Sequence, residues 1–388
     1  MDQARRLLLR IGLLVAVAPA TSCKDADAQP KAPPPVPPAM AASATAAGLI
    51  AANPLLSRGK RAVGWSPARF AAPGHVNDGD PRTTWNAGKP TPDRPAWVAL
   101  DLGKGAARVL LAWSAGGSFN YDETDYGSPG SYRIETSSDS TDGADGVWKA
   151  VVRVAAVTTH GAAHSFDFAG QRWVKLVVTS APAASPNGVQ IDEIEAHDVS
   201  SGVTDAWFFM GDSITAFAFG RPPPRELDFA GRVHQRHPWH LPAVVNGGIG
   251  GEKSDEGVRH VDDWLTQNPD ARFWAVAYGT NDAAGNAVET SRFRGNLSTI
   301  LDKIQRAGRV PILATIPFAS DGQHANVGRF NAVIDELRRA RALPAGPDLY
   351  AWFSAHPEEL RDGVHPDDRG IASITRLWAE AVDPLYPR

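Results

Sequence analysis

From about residue 204 onward, short apolar runs alternate with longer segments of helical period. The run at 207–210 ends in Gly211-Asp212-Ser213, which is typical of a buried strand that turns into a helix. Further apolar runs begin near 243, 273 and 310, and apolar residues recur at helical spacing over 258–265, 293–307, 327–342 and 371–382. Strands that alternate with helices predict a parallel sheet with helices on both faces.

The preceding region, from about residue 54 to 199, has a different pattern. Short β-rich runs alternate with Gly, Pro, Asn and Asp, and no long helical period appears. The runs lie at 97–102, 109–113, 132–136, 148–154, 173–178 and 191–196. Many short strands at this spacing predict a β-sandwich or jelly roll.

Three histidines in the C-terminal region, His234, His237 and His240, recur every third residue. Because Pro238 interrupts any shared helical face, we expect solvent-exposed loop histidines rather than a metal site.

The first residues have the pattern of an export signal. Arg5 and Arg6 precede a short apolar segment that ends in Pro19-Ala20-Thr21-Ser22-Cys23. Small residues before a cysteine resemble a bacterial lipoprotein signal, which implies a lipid anchor on Cys23; ordinary cleavage near Ala18 or Ala20 would instead leave a free thiol. We therefore predict a signal peptide at 1–22, an Ala/Pro-rich linker at 23–49, a β-domain at 50–200 and an α/β domain at 203–388.

The composition of the chain limits the kinds of binding partner and covalent cross-link that we expect. The chain has 388 residues, a net charge of −4 and one cysteine. This charge gives no global attraction to nucleic acid, and a single cysteine excludes an internal disulfide. The predicted location is the cell envelope, with the protein lipid-anchored in the periplasm or at the outer membrane, or secreted.

The β-rich region resembles a discoidin-like domain, of the factor V/VIII type C kind, in the order of its landmarks. These are the 77–85 loop, which contains Asp78-Gly79-Asp80 and Trp85, the 97–103 strand, and later strands that include 172–176 and Glu193-Ile194. The resemblance implies carbohydrate binding by loops at one end, and a structural calcium near the first loop. Candidate calcium ligands are Asp78, Asp80, Thr83 and Glu193. Tyr121 and Tyr126 either stack on a sugar ring or pack on the rim.

Four blocks in the C-terminal region carry residues that a serine hydrolase needs. They are Gly211-Asp212-Ser213, the 246–252 segment Asn-Gly-Gly-Ile-Gly-Gly-Glu, the 278–282 segment Tyr-Gly-Thr-Asn-Asp, and Asp362-Gly363-Val364-His365. In this order they resemble the SGNH, or GDSL, hydrolase family. The resemblance implies a flavodoxin-like α/β/α three-layer sandwich, preceded here by the all-β jelly roll. It also implies Ser213 as nucleophile, His365 as base and Asp362 as acid, with an oxyanion hole from Ser213, Gly251 and Asn281.

Physical chemistry gives reasons for these residue types. A serine hydroxyl attacks an ester only when an imidazole takes its proton, and a carboxylate fixes the tautomer of that imidazole. Preorganised N–H donors stabilise the oxyanion that forms. Such a site needs no metal and no organic cofactor. Asp212 is an alternative acid, but its place in the strand–helix turn favours a local hydrogen bond, and Asp282 has a similar structural role.

The second block also contains an incomplete match to a dinucleotide-binding motif. Gly248-Ile249-Gly250 suggests a dinucleotide loop, yet Lys253 occupies the position of the third glycine. The sequence therefore predicts an exported serine esterase that removes acetyl or other small acyl groups from polysaccharide. Two alternatives stay open: a lipase or thioesterase on lipid acyl chains, and a glycan-binding surface protein whose hydrolase domain is inactive.

Overall fold

A computed structural model describes residues 50–68, 72–115, 127–183, 185, 187–286 and 288–387. Cys23, the predicted signal peptide and linker, Tyr121 and Tyr126 lie outside the described residues. Within these ranges, no helix has both the length and the apolar character needed to cross a membrane.

The first half of the described chain forms antiparallel sheets. Its strands are β1 (Ala62–Trp65), β2 (Trp85–Gly88), β3 (Ala96–Asp101), β4 (Arg108–Ser114), β5 (Ser131–Ser137), β6 (Lys149–Val154), β7 (Gly161–Asp167), β8 (Trp173–Ser180), β9 (Val189–Ile191) and β10 (Glu193–Asp198). One sheet has the order β1-β3-β8-β5-β6 and another the order β10-β4-β7, while β2 pairs with β9. The predicted jelly-roll class is consistent with this arrangement.

A buried apolar cluster fills the space between these sheets. Alternate residues of the strands point into it, including Val98, Leu100, Leu176 and Val178. The single strand predicted over 191–196 is wrong, because the chain changes sheets at Asp192. Its amide donates to the Ser114 carbonyl at 2.8 Å, and β9 and β10 then join different sheets.

The second half is an α/β fold. Its parallel strands are β11 (Ala206–Gly211), β12 (Ala243–Gly248), β13 (Phe273–Ala277) and β14 (Val310–Leu313). Its helices are α1 (Ser213–Ala218), α2 (Phe229–Arg236), α3 (Ser254–Gln267), α4 (Thr280–Ala283), α5 (Thr290–Arg306), α6 (Val327–Ala340), α7 (Leu349–Ala355) and α8 (Asp368–Val382). The strand order β12-β11-β13-β14 is that of a flavodoxin-like sheet.

Two apolar clusters cover the two faces of this sheet. One contains buried residues of α3, α5 and α6, and the other contains buried residues of α1, α2, α7 and α8. The predicted stripe on α5 is confirmed, since Leu297, Ile300, Leu301 and Ile304 are all fully buried. The predicted three-layer α/β/α architecture is therefore confirmed. Strand β14 ends at Leu313, and two residues later the Thr315 amide donates to the Pro347 carbonyl at 3.1 Å.

The two halves share a hydrophobic core. Leu110, Ala112 and Ala163 of the β-sandwich belong to the same buried cluster as Phe208 and Trp264 of the α/β fold. Polar contacts reinforce this junction. The Ala163 amide donates to Asn268 Oδ1 at 3.1 Å, and the Trp264 indole donates to the Thr158 carbonyl at 3.2 Å. The sandwich is therefore fixed to the α/β fold by packing as well as by the chain.

Candidate active site

The first three blocks meet at one edge of the parallel sheet. In the register of the strands, Gly211 at the end of β11 pairs with Gly248 of β12 on one side and Ala277 of β13 on the other. The Ile249 amide also donates to the Gly211 carbonyl at 3.0 Å. Because parallel strands end at the same edge, the segments that follow these three strands are neighbours.

The turn from β11 into α1 sets the position of Ser213. A Cβ on Gly211 would lie 2.2 Å from Thr215 Oγ1 and 2.7 Å from the Ala277 carbonyl oxygen, so this close approach requires glycine. Asp212 is the N-cap of α1, and its Oδ1 accepts from the Ile214 amide at 3.0 Å. This is the predicted local hydrogen bond. Burial raises the pKa of Asp212 to about 7.

Ser213, His365 and Asp362 lie in hydrogen-bond contact, although 152 residues separate the serine from the histidine. The distance from Ser213 Oγ to His365 Nε2 is 3.0 Å, and that from His365 Nδ1 to Asp362 Oδ2 is 2.8 Å. The serine is only 6% exposed. A hydroxyl, an imidazole and a carboxylate in this sequence can pass a proton from the hydroxyl to the ring while the carboxylate holds the ring in place.

The turn around Asp362 fixes the histidine ring. Asp362 Oδ1 accepts from the Val364 amide at 3.0 Å and from the His365 amide at 2.7 Å, while Gly363 between them adopts a φ of +83°. Desolvation by itself would raise the pKa of Asp362, but the hydrogen bonds from the His365 amide and ring and from the Val364 amide lower that pKa to about 2. The carboxylate is therefore ionised at neutral pH.

The second and third blocks are tied to each other. Asn281 donates its side-chain amide to the Glu252 carbonyl at 2.8 Å, and Glu252 directly follows Gly251. Gly251 has a φ of +78°, and a Cβ there would meet no atom within 4 Å, so its surroundings are open. Asp282 is fully buried and accepts from the amide and hydroxyl of Ser254 at the start of α3. The predicted structural role of Asp282 agrees with these contacts.

Two neighbours of the histidine were not predicted. The Phe217 ring lies edge-on to the His365 ring, with centroids 5.9 Å apart and planes at 82°. The guanidinium of Arg361 lies 4.5 Å from the centroid of the Phe217 ring. Both have a sequence signal, because Phe217 is one helical turn after Ser213 and Arg361 directly precedes Asp362.

Gly248 of the second block serves close packing of the backbone. A Cβ on Gly248 would lie 2.2 Å from the Ala216 amide nitrogen, so glycine lets the end of β12 approach the backbone of α1. This contact places the loop that carries Gly251 beside the helix that carries Ser213.

Of the three histidines expected to be solvent-exposed in a loop, His234 is exposed but lies within α2, and His237 is only partly exposed. For His240 the expectation is wrong. His240 is buried, and its ring packs edge-on against Tyr386 with centroids 5.1 Å apart. His237 stacks on the same tyrosine, and its Nε2 lies 3.0 Å from Asp383 Oδ1. The C-terminal segment covers these rings, a long-range contact that local spacing does not reveal.

The candidate calcium ligands make hydrogen bonds within the protein. Asp78 Oδ2 accepts from the Thr83 hydroxyl at 2.9 Å, Asp80 pairs with Arg82 at 2.7 Å, and Glu193 Oε1 accepts from the Gly79 amide at 2.7 Å. In the described ranges, no group of three or more His, Cys, Asp or Glu side chains is arranged to hold a metal ion. The calcium prediction gains no support from these contacts.

Comparison with known proteins bears on the C-terminal half. Residues 209–372 match the model of the GDSL-like lipase/acylhydrolase family. Similar solved structures include a lipase/acylhydrolase from Enterococcus faecalis, with 24% identity, a TM-score of 0.40, and coverage of 46% of this chain and 95% of that one. Another is an acetylxylan esterase from Geobacillus stearothermophilus, with 18% identity, a TM-score of 0.39, and coverage of 46% and 94%.

Among curated proteins, none matches this chain. The family match and the fold agree on the C-terminal half, which contains the end of β11 and the Asp362–His365 turn. The C-terminal part of the chain is therefore a GDSL-like lipase/acylhydrolase domain, and it is a carboxylic ester hydrolase.

Proposed function

We propose that this hydrolase works through Ser213, His365 and Asp362, and that its substrates are acetyl or other small acyl esters of polysaccharide. The observation that carries the first part is the pair of contacts from Ser213 Oγ to His365 Nε2 at 3.0 Å and from His365 Nδ1 to Asp362 at 2.8 Å. These lengths allow proton transfer without rearrangement of the side chains.

In the first half-reaction, Ser213 Oγ attacks the ester carbonyl carbon as His365 Nε2 takes the hydroxyl proton. Asp362 accepts from Nδ1–H, which leaves Nε2 unprotonated as the base, and stabilises the imidazolium that forms. The C–O bond to the alcohol then breaks. The imidazolium gives its proton to the departing oxygen, and an acyl-serine remains.

Water completes the cycle. His365 removes a proton from the water, the resulting hydroxide attacks the acyl-serine, and the carboxylic acid leaves as Ser213 regains its proton. The oxyanion of each half-reaction binds to the amides of Ser213 and Gly251 and to the side chain of Asn281. One N–H of the Asn281 amide goes to the Glu252 carbonyl, which leaves its second N–H for the substrate.

The polysaccharide part of the proposal rests on the sandwich. The sandwich is packed against the hydrolase through a shared core, so it holds a fixed orientation to the Ser213 edge of the sheet. A fixed accessory domain suits a long polymer that touches both parts better than a small free ester. A lipid anchor on Cys23 and a location in the cell envelope belong to the same proposal.

The test uses the whole chain, because the two halves share a core. We expect hydrolysis of nitrophenyl acetate to exceed that of the butyrate and octanoate esters, and Ser213→Ala to lower kcat by about 10,000-fold or more. Ser354→Ala is the matched control, because this serine is exposed and donates to the Tyr350 carbonyl of its own helix. It should leave the rate unchanged.

The other outcomes separate the alternatives. Activity that rises with acyl chain length would favour a lipase or thioesterase. Equal rates for the parent and Ser213→Ala on all three esters, with retained glycan binding, would favour an inactive hydrolase domain beside a working sandwich. Release of acetate from acetylated polysaccharides, measured next, tests the substrate class directly.

A further inference from the structure

Behind the second and third blocks lies a carboxylate that is almost completely buried. Glu252 is 3% exposed and directly follows Gly251. A buried carboxylate is costly unless it is paired and hydrogen-bonded, so its partners indicate what keeps it there.

Two side chains hold this carboxylate. The Tyr278 hydroxyl donates to Glu252 Oε2 at 3.0 Å, and His260 Nε2 lies 3.0 Å from Oε1. His260 stacks in turn on Trp264, with ring centroids 5.0 Å apart and planes at 11°. The Trp264 indole donates to Thr158 of the sandwich. The Glu252 side chain is therefore attached to the end of β13, to α3 and, through α3, to the sandwich.

The backbone of the same residue holds the third block. The Glu252 carbonyl accepts from the Asn281 side-chain amide at 2.8 Å. This contact sets the direction of the Asn281 amide, while the chain bond to Gly251 sets the position of the glycine N–H. One residue is therefore joined by the chain to Gly251 and by a hydrogen bond to Asn281, which are two of the three donors that the sequence assigns to the oxyanion hole.

We propose that Glu252 is a positioning residue for the oxyanion hole, which it orients through its contacts with Tyr278 and His260. The inference rests on the proposed function, in which Gly251 and Asn281 bind the oxyanion. A donor that is misplaced by a fraction of an ångström stabilises the transition state less, so the loss falls on kcat rather than on substrate binding.

The experiment compares three variants of the full chain. Glu252→Ala removes both side-chain contacts, and we expect kcat to fall about 10- to 100-fold with KM changed less than about 3-fold. Glu252→Gln keeps the size and an oxygen that accepts from Tyr278, so it should recover most of that loss. Asp255→Ala is the matched control, because this carboxylate three residues later pairs with Arg292 at 3.2 Å on the surface. It should leave kcat unchanged.

Rates are expressed per active serine, counted by stoichiometric reaction with a fluorophosphonate, so that unfolded protein does not lower the value. Tyr278→Phe removes a single hydroxyl and gives a second variant if Glu252→Ala does not fold; its kcat should fall several-fold. A lower melting temperature with kcat per active serine unchanged in Glu252→Ala, or unchanged in Tyr278→Phe where Glu252→Ala does not fold, would overturn the proposal.

A double-mutant cycle with Asn281→Ala measures whether the kcat losses of the two substitutions are coupled, which a purely structural role of Glu252 would not produce. If Glu252 acts through Asn281, the double variant with Glu252→Ala should lose little more than Asn281→Ala alone. Full additivity would refute the coupling. Retained activity in Ser213→Ala would instead refute the proposed function itself, so the two failures are distinguishable.

Discussion

The same four-residue turn occurs twice on neighbouring loops. Asp321-Gly322-Gln323-His324 and Asp362-Gly363-Val364-His365 both place a carboxylate against Nδ1 of the histidine three residues later, at 2.8 Å in each case. In both, the first carboxylate oxygen accepts from the next two non-glycine amides, and the glycine has a positive φ, +77° and +83°. The turns touch, since the Ser320 amide donates to the Gly363 carbonyl at 2.8 Å.

The two turns differ in the contact made by Nε2, the ring nitrogen on the side away from the aspartate. His365 Nε2 faces Ser213 Oγ, whereas the hydrogen bonds of the His324 ring within the described ranges run only from Nδ1 to Asp321. An Asp-Gly-x-His turn is therefore sufficient to orient an imidazole and is not sufficient for catalysis. In the proposed mechanism, the histidine that acts as base is the one whose second nitrogen meets the serine hydroxyl, and long-range folding supplies that contact.

The sharpest test of this comparison replaces each histidine by alanine. His365→Ala should lower kcat by about 10,000-fold, because the serine loses its base, while His324→Ala should change kcat less than about 3-fold. Hydrolysis of nitrophenyl acetate at equal concentrations of folded protein measures both effects. A large loss of kcat in His324→Ala would break the comparison, because it would place the first turn in contact with the substrate.

The two glycines give a smaller contrast. Gly322→Ala and Gly363→Ala each force alanine into a positive φ at a cost of about 1 kcal/mol, so each melting temperature should fall by about 2–4 °C. A Cβ on Gly363 would also lie 3.0 Å from Ser320 Oγ and 3.3 Å from the Asp321 amide, whereas one on Gly322 meets nothing within 4 Å. Only Gly363→Ala should lower kcat, by about 3- to 10-fold, because its turn must shift to make room.

Activity loss in Gly322→Ala equal to that in Gly363→Ala would contradict this expectation. Thermal melting and esterase rates on the same preparations distinguish the two cases. A loss of stability without a loss of rate is the expected behaviour of the first turn.

Local patterns in the sequence predicted the parts of the site that depend on neighbouring residues. The strand–turn–helix at Ser213, the N-cap at Asp212 and the apolar stripe of α5 all follow from spacing within one element. The α/β/α class follows as well, because apolar runs and helical periods alternate along the chain.

Contacts between distant residues could not be read in this way. Nothing in the spacing shows that His240 packs under Tyr386 or that Glu252 meets His260 and Tyr278. The order of the four blocks in the family resemblance, rather than the turn itself, distinguished the Asp362 turn from the Asp321 turn. The shared core of the two halves is another long-range feature, since Leu110 and Ala163 look like ordinary strand residues in sequence.

Acid stability gives the smallest expected effect and shows what the two turns have in common. Desolvation opposes the shift in both, but hydrogen bonds to the following histidine lower the pKa of Asp321 and lower that of Asp362 to about 2. A carboxyl group whose pKa is lower in the folded state stabilises the fold above its usual pKa of about 4, and loses that contribution as the pH falls through the folded value. Asp362→Asn and Asp321→Asn should therefore each melt about 1–3 °C below the parent at pH 6, with the Asp362→Asn deficit shrinking between pH 4 and pH 2. Melting curves at four pH values measure the difference in melting temperature between each variant and the parent. A difference for Asp362→Asn that grows toward pH 2 would contradict the prediction. If both variants lose stability in parallel while only Asp362→Asn loses activity, the turns are equivalent as structure, and Ser213 alone makes one of them catalytic.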